Sequence, residues 1–173
     1  MAQDERHERF EVRIVPFEPR HADGFRSLVS DTLHEFGFEP DPDLDPDLDE
    51  PLCYVAVWVA ELNGEVVGSV ALRDLGDGGL ELKRMYLRQA QRGRGLGKRL
   101  LATALDWAGA NGAAAVRLDT TESMKAARAL YEAYGFRRVP GEAPRQGQPR
   151  LLYELRLSAA RRRVHARRRS RPA

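Results

Sequence analysis

Residues 81–98 read ELKRMYLRQAQRGRGLGK and decide the fold of this chain. Apolar residues recur through Leu80, Leu82, Met85 and Leu87 with roughly the period of a β-strand, and a polar loop then begins. Behind the loop, apolar residues return at helical spacing. The pattern predicts a strand, a turn and an α-helix in direct succession.

The turn between them is rich in glycine and reads Arg92-Gly93-Arg94-Gly95-Leu96-Gly97. Glycine permits positive φ and the close approach of a ligand, so that successive N–H groups converge on one point. The helix start adds its partial positive charge and its unsatisfied N–H groups, which suit a phosphate or pyrophosphate. We therefore predict an anion-binding turn, with the charges of Arg92, Arg94 and Lys98 at its edge.

Two other phosphate-binding motifs are excluded by the positions of these glycines. A Walker loop requires Ser or Thr after Gly-Lys, but Arg99 follows Lys98. A dinucleotide fingerprint that starts at Gly93 requires its third glycine at position 98, which is a lysine. What remains is an arginine at 92 with glycines at 95 and 97, directly after a strand.

A second informative stretch, residues 126–136, reads AARALYEAYGF. It predicts a helix that carries Tyr131 and stops at Gly135-Phe136. Together the two stretches resemble the GNAT N-acetyltransferase superfamily: the glycine turn resembles its acetyl-CoA loop, and the second stretch its C-terminal signature. The resemblance covers about residues 12–157. One departure is Met124, where many relatives carry an asparagine that contacts the cofactor.

The resemblance implies an α/β fold with a mostly antiparallel, splayed central sheet flanked by helices. Acetyl-CoA, as cosubstrate and without a metal, would enter the gap between the strand at 81–87 and a buried strand at 115–119. Backbone groups of the first strand would pair with the pantetheine amides, and amides of the glycine turn would hold the pyrophosphate. The implied cofactor-binding residues are Met85, Tyr86, Leu87, Arg92, Gly93, Arg94, Gly95, Leu96, Gly97 and Lys98.

Acetyl transfer to an amine makes three chemical demands. The ammonium must lose a proton, because the lone pair is the nucleophile and a lysine-type amine has a pKa of about 10.4. The thioester carbonyl must be polarised, for which the backbone N–H of Met85 or a neighbour is the candidate. The leaving thiolate must be protonated.

For the base, the resemblance implies Glu81, which lies six residues before Leu87. For the acid it implies Tyr131, with Tyr134 as a fallback. The residues themselves leave a second interpretation of each open. Glu81 is also typical of a strand glutamate that pairs with Lys83 at the surface, and Tyr131 of a partly buried aromatic whose hydroxyl only orders the cofactor.

The rest of the chain is consistent with a single domain between a polar leader at 1–9 and an Arg-rich tail at 158–173, with the domain at 10–157. The predicted elements are a strand near Val12–Phe17, a helix from about Pro19 to Gly37, a hairpin turned by Asn63-Gly64, a turn at 74–79, a helix that Asn111-Gly112 ends, a helix from Thr120 or Thr121 to about Tyr134, and strands at 136–139 and 151–157.

Composition limits the class of protein. The N-terminus has no apolar segment and no stretch approaches the length of a membrane span, so we expect a cytoplasmic protein with no membrane partner. Cys53 is the sole cysteine, which excludes an internal disulfide, and its apolar neighbours predict a small buried side chain.

Charge is distributed unevenly. All 26 acidic residues precede residue 160, so residues 1–160 hold 21 basic and 26 acidic side chains, a formal charge of about −5. Five aspartates alternate with Pro or Leu at 41–49, which predicts an extended, solvated loop; its spacing does not fit an EF-hand. The alternative is an acidic edge that attracts a cationic acceptor.

The leading hypothesis is an acetyl-CoA-dependent N-acetyltransferase that acts on a primary amine of a small molecule or a protein lysine. The Asp-rich loop favours a cationic acceptor such as a polyamine, an aminoglycoside or a lysine side chain. Two alternatives stay open: a CoA-binding sensor, and a nucleic-acid-associated protein whose tail arginines contact phosphates. Small domains with exposed final strands often pair, which makes a homodimer a further expectation.

Overall fold

A computed structural model of the chain describes residues 11–48, 53–141, 146–147 and 149–158. The predicted leader at 1–9 and the predicted tail beyond Ser158 lie outside these residues. The strands are β1 (Arg13–Pro16), β2 (Ala56–Leu62), β3 (Glu65–Asp74), β4 (Gly79–Leu87), β5 (Ala115–Thr120), β6 (Arg137–Val139) and β7 (Leu151–Arg156). The α-helices are α1 (Ala22–Glu35), α2 (Leu96–Ala110) and α3 (Lys125–Ala133).

The strands form one sheet in the order β1-β2-β3-β4-β5-β7-β6. Every neighbouring pair is antiparallel except β4 and β5, which are parallel. Their register runs only from Gly79 opposite Ala115 to Glu81 opposite Arg117, although β4 continues to Leu87. The predicted mixed, mostly antiparallel and splayed sheet is therefore confirmed.

Local sequence signals explain the ends of several elements. Asn63 and Gly64 turn the β2–β3 hairpin with φ values of 53° and 84°, as a type I′ turn requires. Helix α2 begins directly after Gly95, whose φ is 78°, and Asn111 caps its C-terminal end. Helix α1 follows a short 3-10 turn that starts at Pro19, where the missing N–H of proline costs nothing.

Helices cover both faces of the sheet. Successive strand residues point to opposite faces, and Val66 accordingly packs with the buried face of α1 while Val67 packs with that of α2. Leu100 and Leu101 of α2 are fully buried in the larger of the two cores. The two layers hold β4 and the start of α2 in place, and these elements border the gap where β4 and β5 separate.

Two predictions from the sequence are wrong. Cys53 is exposed, because β2 begins only at Ala56 and the cysteine lies before the residues that enter the sheet. Helix α3 begins at Lys125 rather than at Thr120 or Thr121: Thr120 ends β5, and Thr121 and Ser123 share a hydrogen bond of 2.8 Å between their hydroxyls. These polar residues form the turn into the helix instead of its cap.

None of the helices among the described residues combines the length and the apolar character needed to cross a membrane.

Candidate active site

A β-bulge in β4 lies where the sheet begins to splay. Ser69 pairs with Tyr86 and Ala71 with Lys83, so that two residues of β4, Arg84 and Met85, oppose a single residue of β3. Arg84 has a φ of 51°, which is uncommon for a residue with a side chain. The Ser69 hydroxyl donates to the Arg84 carbonyl at 2.6 Å and holds this conformation.

The side chain of Arg84 is buried and binds the Asp-rich loop. Its guanidinium donates to Asp45 at 2.6 Å and to Asp47 at 2.7 and 2.6 Å. Asp45 and Asp47 are only 1% and 4% exposed, and the second oxygen of Asp45 accepts the N–H of Asp41 at 2.9 Å. The predicted extended, solvated loop is therefore wrong at these two aspartates, because a buried arginine in the sheet needs their charge.

A cavity of about 60 Å³ opens on the splayed side of the bulge. A water molecule needs roughly 10–15 Å³, so the cavity has room for a small reacting group. Its lining includes Lys83, Met85, Tyr86, Asp119, Tyr131 and Arg150. The structure thus brings Met85, Tyr86 and Tyr131, which the sequence predicts for the site, into one place.

Charged side chains form a continuous line across the gap between β4 and β5. Glu81 contacts Arg73, and the Lys83 ammonium lies 3.7 Å from a carboxylate oxygen of Glu81 and 3.7 Å from one of Asp119. Asp119 in turn contacts the guanidinium of Arg150. Burial lowers the pKa of Lys83 to about 8, an effect that Glu81 partly offsets.

Glu81, the predicted base, lies between Arg73 and Lys83 in this line. It is on β4, and its side chain is 15% exposed. Lys83 and Asp119 are among the described residues that line the cavity, whereas Glu81 is not. The ion pair with Lys83 that the residues also suggested is present. Glu81 is therefore connected to the cavity by its ion pair with Lys83, and its role as the base stays a prediction.

Tyr131, the predicted acid, is 6% exposed and packs against Phe136 with 5.8 Å between ring centroids. Burial raises the pKa of Tyr131 above its usual value, so that its phenol is protonated at neutral pH. Tyr134 has a different position: its hydroxyl donates to the carbonyl of Lys98 at 3.2 Å and joins α3 to α2. Of these two tyrosines only Tyr131 lines the cavity, and its role as the acid stays a prediction.

The glycine turn has the conformation that the sequence predicts. Gly93 and Gly95 have φ values of 75° and 78°, and a Cβ on either would meet no atom within 4 Å, so open space borders the turn. Gly97 lies close to Leu130 and Leu87, where a Cβ would be 3.4 and 3.6 Å from their methyl groups. An open turn at a helix N-terminus fits a pyrophosphate group.

The cations of this turn are not equivalent. Arg94 and Lys98 are exposed, and Leu96 is buried beneath them. Arg92 instead donates from Nε to the Leu87 carbonyl at 3.1 Å and pairs with Glu35 at 2.5 and 2.6 Å. Its charge, predicted to lie at the edge of the turn, is used to bind the turn to α1.

Sequence reasoning missed three charged residues that line the cavity, Arg84, Asp119 and Arg150, and it missed that Asp45 and Asp47 of the Asp-rich loop bind Arg84. The sequence contains a signal for Asp119. A carboxylate is unusual near the end of an apolar strand, and this strand, β5, lies next to β4, which leads into the glycine turn. For Arg150 the sequence has no signal, since it follows a Pro- and Gly-rich stretch. The partners of Arg84 lie 37 and 39 positions earlier in the chain and follow no local pattern.

The chain is similar in sequence to known acetyltransferases. A family model described as the acetyltransferase (GNAT) family matches residues 23–136. N-acetylaspartate synthetase of Danio rerio is 39% identical over 117 residues, which are 62% of this chain and 41% of that protein. The uncharacterized N-acetyltransferase YjgM of Escherichia coli K12 is 40% identical over 87 residues, 49% of this chain and 52% of that protein. The chain spans about half or less of the length of these curated relatives.

Solved structures share the fold. An acetyltransferase of the GNAT family from Staphylococcus aureus Mu50 has a TM-score of 0.77 at 22% identity, covering 86% of this chain and all of that one. A Bacillus subtilis acetyltransferase solved in complex with CoA has a TM-score of 0.65 at 20% identity, covering 86% of this chain and 100% of that one. At these identities the likeness concerns the fold.

Proposed function

Because this chain belongs to the acetyltransferase (GNAT) family, we propose that it transfers an acetyl group from acetyl-CoA to a primary amine by direct attack in a ternary complex. The observation that carries the proposal is the stretch of β4 from Leu82 to Leu87, which is not paired with β5. The cavity with Tyr131 lies along this stretch, and the open glycine turn follows it. That arrangement matches the two ends of a cofactor that has a pyrophosphate and a thioester.

The N–H groups and carbonyls of β4 beyond Glu81 offer hydrogen bonds to an extended ligand, as an exposed sheet edge does. The Met85 backbone, freed from the ladder by the bulge, is the donor that we assign to the thioester carbonyl. The amides from Gly93 to Lys98 would hold the pyrophosphate. Leu87 is the exception within the edge, because Arg92 already donates to its carbonyl.

The reaction forms an N–C bond and breaks the thioester C–S bond; the attacking nitrogen gives up a proton and the leaving sulfur gains one. Tyr131, a buried and protonated phenol at the cavity, is assigned to the sulfur. For the base we consider two carboxylates, Glu81 from the sequence and Asp119 from the structure. Asp119 lines the cavity directly, whereas Glu81 acts through Lys83, whose ammonium lies 3.7 Å from both.

The proposal is tested with the intact chain in two steps. Calorimetry with acetyl-CoA measures binding, and release of free thiol measures turnover on a panel of amino acids, polyamines, aminoglycosides and lysine peptides. Binding together with thiol release on one class of amine supports the proposal. Absence of acetyl-CoA binding would refute it, and binding without turnover on any amine would favour a CoA sensor.

As a control for the cofactor site, Gly95→Val places a branched side chain at a φ of 78°. We expect it to weaken acetyl-CoA binding, because a β-branched residue does not adopt this φ without strain. Gly76→Val is the matched variant. Gly76 has a φ of 75° in a turn away from the proposed site, and a Cβ at this position would also meet no atom within 4 Å. It should show the same strain without the loss of binding.

A further inference from the structure

Resting on the acetyl transfer proposed above, we propose that the acceptor is an amino acid: an amine that also carries a carboxylate, with the carboxylate bound by Arg150 and Lys83 and the ammonium by Asp119. This assignment goes against the cationic acceptor that the Asp-rich loop suggests. The distribution of charge around the cavity supports it.

The loop aspartates are not available to an acceptor in the way that the sequence predicts. Asp45 and Asp47 are buried and bound to Arg84, so their negative charge is compensated inside the protein. Among the described residues that line the cavity, the charged ones are Lys83, Arg84, Arg150 and Asp119, three cations and one carboxylate. Because Asp45 and Asp47 already match the charge of Arg84, the wall presents two further cations, Lys83 and Arg150, and one carboxylate, Asp119, which favours a ligand that carries an anionic group.

The wider cluster is electrically balanced. The carboxylates of Asp45, Asp47 and Glu81 lie behind the wall and, with Asp119, match the four cations Arg73, Lys83, Arg84 and Arg150. A polyamine would add several positive charges to this balanced cluster. A ligand with one ammonium and one carboxylate leaves the balance intact, because each of its charges meets an opposite one.

Arg150 offers a specific place for the carboxylate. One terminal nitrogen of its guanidinium contacts Asp119, while Nε is buried and has no hydrogen-bond partner among the described residues. A guanidinium binds a carboxylate best along one edge with two parallel N–H donors. A buried donor without an acceptor is unfavourable, and an incoming carboxylate supplies the acceptor for Nε, with Nη2, which also contacts Asp119, as the second donor of that edge.

Lys83 completes the site on the opposite strand. Its ammonium lies across the gap near Asp119, and its side chain is 20% exposed, so it can reach a ligand in the cavity. Asp119 lies between Lys83 and Arg150, within contact of both. An α-amino acid, whose ammonium and carboxylate are separated by one carbon, suits two cations that share a central carboxylate.

The relatives are consistent with this acceptor class. The name N-acetylaspartate synthetase, which several of them carry, describes a protein whose product is an acetylated amino acid. The argument for Arg150 and Lys83 does not depend on that name.

The test compares acceptors that differ only by the presence of a carboxylate: lysine with cadaverine, and tyrosine with tyramine. We expect the better member of each pair to be the amino acid, with kcat/KM higher by on the order of 100-fold, as loss of a charge-assisted hydrogen bond implies. Equal or faster acetylation of the decarboxylated amines would overturn the assignment while leaving acetyl transfer intact. Failure to bind acetyl-CoA would instead refute the proposed function.

Variants locate the carboxylate site. Arg150→Gln should raise KM for the best amino acid about tenfold or more, while acetyl-CoA affinity measured by calorimetry stays unchanged. Arg150→Lys keeps the charge and should lose less, which separates recognition from a folding defect. Arg156→Gln is the matched control, because Arg156 is 90% exposed on β7 and pairs with Glu154. If Arg150→Gln leaves KM at the level of Arg156→Gln, Arg150 does not bind the acceptor.

Discussion

The guanidinium of Arg84 forms a two-pronged ion pair with the carboxylate of Asp47, with Nε and one terminal nitrogen each donating to a different oxygen. Both side chains are about 5% exposed or less. The pair connects the bulge of β4 with a loop 37 positions earlier in the chain. Removing Asp47 leaves the buried Arg84 guanidinium with Asp45 as its carboxylate partner and takes away the acceptor of Nε.

We therefore expect Asp47→Ala to lower the free energy of unfolding by about 3–5 kcal/mol. Asp43→Ala is the matched change in the same loop, and because Asp43 is exposed its effect should stay within about 0.5 kcal/mol. Urea unfolding followed by circular dichroism measures both. Similar values for the two variants would mean that the Arg84 pair does not stabilise the fold.

A second prediction concerns the proton donor. Tyr131→Phe removes a hydroxyl at the cavity without changing the ring, and we expect it to lower kcat by about 10²–10⁴. Acetyl-CoA affinity should change little. Tyr134→Phe removes only the hydrogen bond to the Lys98 carbonyl and serves as the control. An unchanged kcat in Tyr131→Phe would mean that the hydroxyl is not the proton donor and at most orders the cofactor.

The two candidate bases are distinguished by a pair of isosteric changes. Asp119→Asn alters the cavity wall itself, and we expect the larger loss of kcat there. Glu81→Gln alters a group one ion pair further away and should act mainly by lowering the pKa of Lys83, whose charged form Glu81 favours. Rates measured from pH 6 to 9 separate the two. A larger loss in Glu81→Gln would identify Glu81 as the base.

The pKa of Lys83 also predicts how stability depends on pH. It is lowered from 10.5 to about 8 by burial, so between these values the unfolded chain binds a proton that the folded chain does not. The free energy of unfolding should then rise with pH across this interval, by up to about 3 kcal/mol for this one group. Below pH 8 both states are protonated at Lys83, and its contribution is constant.

The measurement is the difference between the wild type and Lys83→Met, from urea unfolding between pH 7.5 and 10.5. Glu81, Asp119, Arg150, Arg84 and Arg73 surround Lys83 and remain in the variant, so their contributions largely cancel. We expect the wild type to gain stability relative to the variant as pH rises. A difference that does not vary with pH would mean that the ammonium is well solvated.

Elements set by local patterns could be predicted from the sequence. Asn63-Gly64 specifies the hairpin, and Gly95 and Gly135 each specify where a helix begins or ends, because these positions need a positive φ. The glycine turn and the Tyr131 helix, which are the two stretches of the family resemblance, lie next to each other, with Leu130 close to Gly97 and the Tyr134 hydroxyl bound to the Lys98 carbonyl. Short-range signals were therefore enough for the fold and for the conformation of the glycine turn, whose role in cofactor binding stays a prediction.

The acceptor side could not be predicted because its residues meet only through the topology. Arg84 looks like an ordinary strand residue until the bulge turns it inward, and Asp45 and Asp47 look solvated until they pair with it. Arg150 reaches Asp119 from the segment before β7. No spacing in the sequence connects these positions, and the charge pattern of the loop suggested the opposite kind of acceptor.

The early end of the β4–β5 pairing has a consequence for the abundance of the protein. The sheet is incomplete along Leu82–Leu87, and a cofactor that pairs there acts as a removable strand. Any ligand that binds only the folded state stabilises it by mass action, by about 2.7 kcal/mol at a hundred times its Kd. The lifetime of this enzyme against proteolysis would then rise and fall with the supply of acetyl-CoA, so that the chain is best preserved when its acetyl donor is plentiful.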